Sequence, residues 1–187
     1  SVGALEIPVF AMLSAAFSQN IYPSLVKLVS DNKKEEAKDL WLATTKKVSY
    51  ITFPILLILM IFSKQIIFFI YTTDYSESVI IFQTYLLIGL FRNNYYGALI
   101  AASGQTKFIT LYSAMMLVLN LVLSIILYKI WGINGIVFAS LFATMIIALL
   151  QLHHEKLLKK YLTNYLLDYK IIIFIILIIF FYFQNIY

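Results

Sequence analysis

The chain has 187 residues, 62% of them hydrophobic and 12% charged, with a mean hydropathy of +0.89 and a formal net charge of +5. That much apolar surface exceeds what one soluble core can bury, so the composition excludes an ordinary water-soluble domain and points to a membrane protein. There is no cysteine, which excludes disulfides, thiolate nucleophiles and cysteine metal sites.

Hydrocarbon about 30 Å thick is crossed by a helix of about 20 apolar residues, because a helix satisfies its own backbone there. Six segments qualify: Ile7 to Val29, Val48 to Tyr71, Val79 to Ala102, Phe108 to Lys129, Ile133 to Leu152 and Ile171 to Ile186. They are spans one to six of an expected all-α, polytopic membrane helix bundle. The chain opens on Ser1, with no basic region ahead of a short apolar core, so no signal peptide is expected and the sequence reads as a fragment of a longer protein.

Charge placement gives an expected orientation. Lys27, Lys33, Lys34, Lys38, Lys46 and Lys47 lie between spans one and two, Lys107 between three and four, and Lys156, Lys159, Lys160 and Lys170 between five and six. The alternate connections hold only Lys64 and Lys129. Cytoplasmic loops collect lysine, so these three connections are expected inside a bacterial cytoplasmic membrane, with Ser1 and Tyr187 outside. The net charge then reflects topology and contact with anionic lipid of the inner leaflet, and no nucleic-acid partner is expected.

Both long lysine-rich connections carry apolar residues at helical spacing. In the first, Asn32 and Glu35 have capping-box spacing, and Ala37, Leu40, Trp41, Thr44 and Val48 form a stripe running into span two. In the second, Leu157, Leu158, Tyr161, Leu162, Tyr165 and Leu166 lie opposite Lys156, Lys159 and Lys160. Each reads as an amphipathic helix on the inner leaflet, against the alternative of a solvated linker. The expected division is 1–152 as a lobe of five spans, 153–168 as an interfacial amphipathic helix and 169–187 as a further peripheral transmembrane helix.

Polar residues within the spans fall on helix faces. Span one has Ser14, Ser18 and Tyr22, with Gln19 and Asn20 alongside; span three has Tyr85, Gly89, Arg92 and Tyr96. Span four has Ser113, Asn120 and Ser124, and span five has Ser140, Thr144 and Gln151. Span six is uniformly apolar from Ile171 to Tyr182, as expected of a helix at the rim. Spans one, three, four and five would then wall a polar interior. The alternative is plain helix packing, which also uses small and hydroxylated residues.

Arg92 stands out, because a charge near mid-membrane costs about 2.5–3.5 kcal/mol on insertion scales and usually marks a polar cavity. Either it is tied to Asn93, Asn94 or a neighbouring carbonyl, or it is available to an anionic ligand, since Glu6, Asp74 and Glu77 lie near a span end. Pro8, Pro23 and Pro54 are candidate kinks, with a first helical turn as the alternative for Pro54. His153 and His154 match no metal motif and read as a solvated interfacial pair. No metal, cofactor or catalytic residue is expected.

Several segments taken together resemble a family. Tyr22-Pro23-Ser24-Leu25 before a Lys/Glu-rich connection, Lys64 to Tyr75 closing a turn, Leu99 to Lys107 ending in Gly-x-x-Lys, and Gly132-Ile133-Asn134-Gly135-Ile136 leading into Ala139 and Ser140 carry the likeness. They are similar to the C-terminal lobe of polysaccharide (O-antigen or capsule) flippases of the MOP superfamily, which also holds the MATE drug exporters. The resemblance covers Ser1 to about Leu152. It implies a MATE-like lobe, a missing N-terminal lobe as its partner, and alternating access. The implied substrate is an undecaprenyl-diphosphate-linked oligosaccharide, exported for surface polysaccharide biosynthesis. Arg92 is the candidate diphosphate contact, and Asn93, Tyr96 and Asn120 are candidate sugar or phosphate contacts. The competing readings are a MATE-type drug or metabolite antiporter, which generally needs a membrane-embedded carboxylate, and a membrane enzyme such as a polymerase or acyltransferase, which needs convergent acid, base or nucleophile groups.

Overall fold

A computed structural model describes residues 20–71, 76, 78–92 and 95–162, with the side chains of Leu90 and Arg92 excepted. Among the described residues there is no strand. The helices are α1 (20–30), α2 (Lys34–Ile61), α3 (Ser63–Ile70), α4 (Ser78–Arg92), α5 (Ala98–Ala102), α6 (Thr106–Trp131), α7 (Ile133–His154) and α8 (Leu158–Tyr161). Three of them, α2, α6 and α7, are long and apolar enough to cross a membrane. At 1.5 Å per residue they measure roughly 42, 39 and 33 Å, against about 30 Å of hydrocarbon.

Spans four and five of the sequence reading are α6 and α7, and span one is described only from residue 20. Span six lies outside the described residues. Span two begins far earlier than expected: α2 is continuous from Lys34, so the first lysine-rich connection is mostly the opening of that helix. Pro54 therefore sits deep within α2, not in its first turn.

Span three is not one helix. α4 stops at Arg92, Tyr95–Gly97 turn, and α5 resumes at Ala98 with only five residues. Helical periodicity cannot reveal such a break, because the residues on either side keep their apolar pattern.

α6 and α7 form a hairpin joined by Gly132 alone, whose φ of 59° and ψ of −138° strain any residue with a Cβ. Their contacts run antiparallel: Gly135 lies against Leu127, Ser140 bonds Asn120, and His154 bonds Tyr112. α6 buries no residue fully and exposes Leu117, Val118, Leu121 and Ile125, a surface suited to lipid and not to water.

Helix ends gather at two poles. At the lysine-rich pole, Ile21 and Leu25 of α1, Ala37 and Trp41 of α2, Ala98 and Leu99 of α5, and Leu152 at the end of α7 form one buried cluster with Leu157 and Tyr161. The stripes read as membrane-facing amphipathic helices are thus corrected at these positions: Ala37, Trp41, Leu157 and Tyr161 pack against protein. Apolar periodicity looks the same whether the stripe meets lipid or a neighbouring helix. In the second connection the helix covers only Leu158–Tyr161, and 163–168 lie outside the described residues. At the other pole Leu56, Met60, Ile67, Val79, Phe82 and Leu86 pack together around a buried bond from Gln83 Nε2 to Ser63 Oγ, 2.8 Å.

Three ends at the lysine-rich pole share one stop. Asn32, Gly104 and Lys156 take left-handed φ of 59°, 72° and 58°. In each case the following amide reaches back five residues: Lys33 to Leu28, Gln105 to Ile100 and Leu157 to Leu152. Asn32 therefore closes α1. The capping box expected of Asn32 and Glu35 does not form, and Lys33 precedes α2 with no side-chain cap.

A Cβ added to Gly135 would lie 2.1 Å from the Leu127 carbonyl oxygen, whereas one on Gly97 would first meet the mobile end of Ile109 at 2.9 Å. Gly135→Ala is expected to force α6 and α7 apart and destabilise the protein by about 1–3 kcal/mol, with Gly97→Ala costing clearly less. Thermal unfolding of the two variants in detergent checks the order; equal stability would mean the hairpin does not depend on close backbone approach.

Candidate functional site

A helix broken inside an apolar bundle leaves backbone groups that hydrocarbon cannot satisfy, so such breaks persist where protein supplies partners or where they line a cavity. Both conditions hold here. Trp41, fully buried on α2, donates its indole N–H to the Tyr95 carbonyl at 3.2 Å. Its ring lies 5.8 Å from that of Tyr96 and 6.2 Å from that of Tyr161, and the hydroxyls of Tyr96 and Tyr161 are 3.1 Å apart. An ion pair between Lys160 and Asp39 joins α8 to α2 at the surface beside this aromatic group.

On its other side the break opens into a cavity of about 440 Å³. From α4 and the break come Tyr85, Ile88, Phe91, Tyr95 and Tyr96. From α6 come Met116 and Asn120, and from α7 Ser140, Thr144 and Gln151, with Ile147 and Ala148 between them. Polar and aromatic groups thus face one another across a space of ligand-binding size. Among the described residues, none that lines it is charged.

The polar row is partly self-satisfied. Asn120 Nδ2 donates to Ser140 Oγ at 2.9 Å, and its amide oxygen accepts from Ser124 at 3.3 Å. Thr144, which lines the cavity, donates to the Ser140 carbonyl at 2.7 Å, which leaves its hydroxyl able to accept. Gln151 has no side-chain hydrogen bond among the described residues. Its amide nitrogen lies 3.5 Å from where a Gly97 Cβ would stand, so the glycine leaves it room.

Of the residues predicted from sequence, Tyr96 and Asn120 meet at this cavity, 24 positions apart in the chain. The ring of Tyr96 packs against Trp41 and Tyr161, and its hydroxyl is engaged by Tyr161. Arg92 ends α4, one residue after the lining Phe91; its side chain, and all of Asn93 and Asn94, lie outside the described residues. The stripes on spans three, four and five converge as expected through Tyr85, Asn120, Ser140, Thr144 and Gln151. Most of the span-one stripe lies outside the described residues.

Sequence reasoning missed Trp41 and Tyr161 as supports of the break, because both sit in segments that read as interfacial. It also read His154 as solvated. The ring bonds Tyr112 Oη through Nδ1 at 3.0 Å and Gln105 Oε1 through Nε2 at 3.2 Å, with Phe108 edge-on at 4.6 Å, so it ties α7 to the start of α6. Among the described residues no group of acidic, histidine or cysteine side chains could hold a metal ion.

The family described as "Polysaccharide biosynthesis protein" matches residues 3–80. No curated protein and no solved structure matches the chain. The match ends before Tyr85, the first residue lining the cavity. Together with three helices of membrane-crossing length, it is consistent with a membrane protein of polysaccharide synthesis.

Trp41→Phe keeps the ring packing but removes one of two donors to the Tyr95 carbonyl, the other being the Ala98 amide at 3.1 Å. The expected cost is about 0.5–1.5 kcal/mol, with faster amide exchange around residues 95–98. Hydrogen exchange that is unchanged at the break would mean this bond does not hold it.

Proposed function

We propose that the chain is the C-terminal lobe of an exporter that carries an undecaprenyl-diphosphate-linked oligosaccharide across the bacterial cytoplasmic membrane for surface polysaccharide. The observation that carries this reading is the cavity of Tyr85, Asn120, Ser140, Thr144 and Gln151 among helices of membrane-crossing length, in a chain matched by a polysaccharide biosynthesis family. A lipid-linked sugar has a tail that can remain in hydrocarbon and a polar head that cannot enter it without hydrogen-bonding partners. Uncharged polar groups inside the bundle lower that barrier, and rocking against a second, N-terminal lobe would open the cavity to each side in turn.

Arg92 is assigned to the diphosphate. It lies next to Phe91 in the chain and four positions before Tyr96, both of which line the cavity, and a guanidinium suits a diphosphate. Asn93 is assigned a supporting contact to the same head group. Antiport driven by a proton or sodium ion would favour a carboxylate at the cavity, and no described lining residue is acidic. Catalysis would call for an acid, base or activated nucleophile, and the lining amides and hydroxyls have no imidazole, carboxylate or amine beside them in that set. The lysine-rich pole is assigned to the cytoplasmic side, in contact with anionic lipid.

In the complete protein, Arg92→Ala should abolish surface polysaccharide while membrane abundance stays unchanged, and Arg92→Lys should retain a part. Polysaccharide at the normal level in Arg92→Ala would remove this residue from the mechanism. The chain has no cysteine, so orientation is open to single-cysteine labelling. Lys34→Cys should be protected from an impermeant maleimide in intact cells and Ile133→Cys should react; the reverse pattern would invert the direction of transport.

A further inference from the structure

We infer that α8 is a latch: packed against α2 and the break it closes the lysine-rich end of the cavity, and released onto an anionic leaflet it leaves that end open. The latch rests on the exporter reading for the sidedness of the membrane, and it concerns how the cavity is opened, not what it holds.

The four residues of α8 are tied to the bundle by three kinds of contact. Lys160 pairs with Asp39 of α2 at the surface, where both side chains stay about half exposed. One residue on, Tyr161 is buried, its ring 6.2 Å from that of Trp41 and 6.0 Å from that of Tyr96, and its hydroxyl 3.1 Å from the Tyr96 hydroxyl. Just before the helix, Leu157 joins the same buried cluster. Tyr96 and Ala148 belong to that cluster and also line the cavity. Leu152, one turn beyond Ala148 on α7, is buried in the cluster as well, and α7 stops at His154. Ion pair, aromatic cluster and cavity thus follow one another inward from this pole, with α8 on the outer side.

The outer piece is also the one that can leave. An ion pair between half-exposed partners is weak, and α8 joins α7 through a turn in which Lys156 takes a left-handed φ of 58°. Leu157, Leu158 and Tyr161 lie opposite Lys156, Lys159 and Lys160 at helical spacing. The apolar side that meets the cluster therefore also suits the interface of a leaflet, where a tyrosine keeps its ring in apolar surroundings and its hydroxyl wet. There, lipid phosphate replaces the Asp39 carboxylate as the partner of Lys160. Two hosts for one stripe make an element with two positions. Tyr96 carries the change to the cavity, because it loses the Tyr161 ring and hydroxyl when α8 departs. The exposed pair of Lys33 and Glu36 closes within the start of α2 and has no such leverage.

Labelling of a cavity cysteine, Thr144→Cys, reads the latch in the complete protein with any cysteine outside this chain replaced, since this chain has none. A membrane-impermeant maleimide is added to inside-out and to right-side-out membrane vesicles, with Lys34→Cys marking the lysine-rich side. From that side, Lys160→Ala should speed labelling about two- to fivefold and Tyr161→Phe about two- to tenfold, while Lys33→Ala leaves the rate unchanged. Exchanging the pair, Asp39→Lys with Lys160→Asp, should restore the slow rate. In nanodiscs, adding phosphatidylglycerol to phosphatidylcholine should speed labelling of Thr144→Cys about fivefold, and less once Lys160→Ala is also present. Unchanged labelling in both Lys160→Ala and Tyr161→Phe, equal acceleration from both sides, failure of the exchanged pair to slow it, or indifference to phosphatidylglycerol overturns the latch. The exporter reading fails by a different measurement, surface polysaccharide in Arg92→Ala cells, so either can fall while the other stands.

Discussion

Where α4 stops inside the apolar bundle, carbonyl groups lose their helical donors, and the Tyr95 carbonyl is met by the Ala98 amide and by the indole of Trp41, 54 residues earlier in the chain. In hydrocarbon an unmet backbone group costs several kcal/mol, so a break of this kind depends on such partners, and the indole ties it to α2. An indole suits the task because it brings a single donor on a body that is otherwise apolar. The same side chain then packs against Tyr96 and Tyr161, which fixes the turn of Tyr95–Gly97 between the aromatic cluster on one side and the cavity on the other. Straightening span three into one helix would remove both.

The cavity inherits its character from that geometry. A continuous helix would offer only side chains at fixed spacing, whereas the break brings Tyr95 and Tyr96 to one end of a slot whose other wall belongs to the α6–α7 hairpin. The hairpin is rigid for separate reasons: the Gly135 approach to Leu127, the Asn120–Ser140 bond and the clasp of His154 on Tyr112 and Gln105. The aromatic and polar walls thus belong to independently supported parts.

The sequence made some of this legible. α6 and α7 could be read directly, because their length, apolarity and bracketing glycines admit no other element. The polar stripes on spans three to five did converge, since helical spacing alone puts Asn120 and Ser124 on one face and Ser140, Thr144 and Gln151 on another. The break did not show, because Arg92, Asn93 and Asn94 read as polar groups within one continuous span, and the indole that supports the turn comes from another helix. The interfacial stripes misled for a related reason: Ala37, Trp41, Leu157 and Tyr161 are apolar at helical spacing, and only tertiary contacts distinguish a protein neighbour from a leaflet. Asn32 was assigned to the wrong helix, since a residue between two helices can stop one as readily as start the next.

The left-handed stops at Asn32, Gly104 and Lys156 separate two properties that usually share residues. Where a helix ends in open solvent, cationic side chains often answer its exposed carbonyls and so serve fold and surface at once. Here the ends of α1, α5 and α7 are answered by backbone amides of the residues just beyond them. The ammonium groups clustered at that pole are not required to finish these helices. What constrains them is contact between elements, as where Lys160 of α8 pairs with Asp39 of α2.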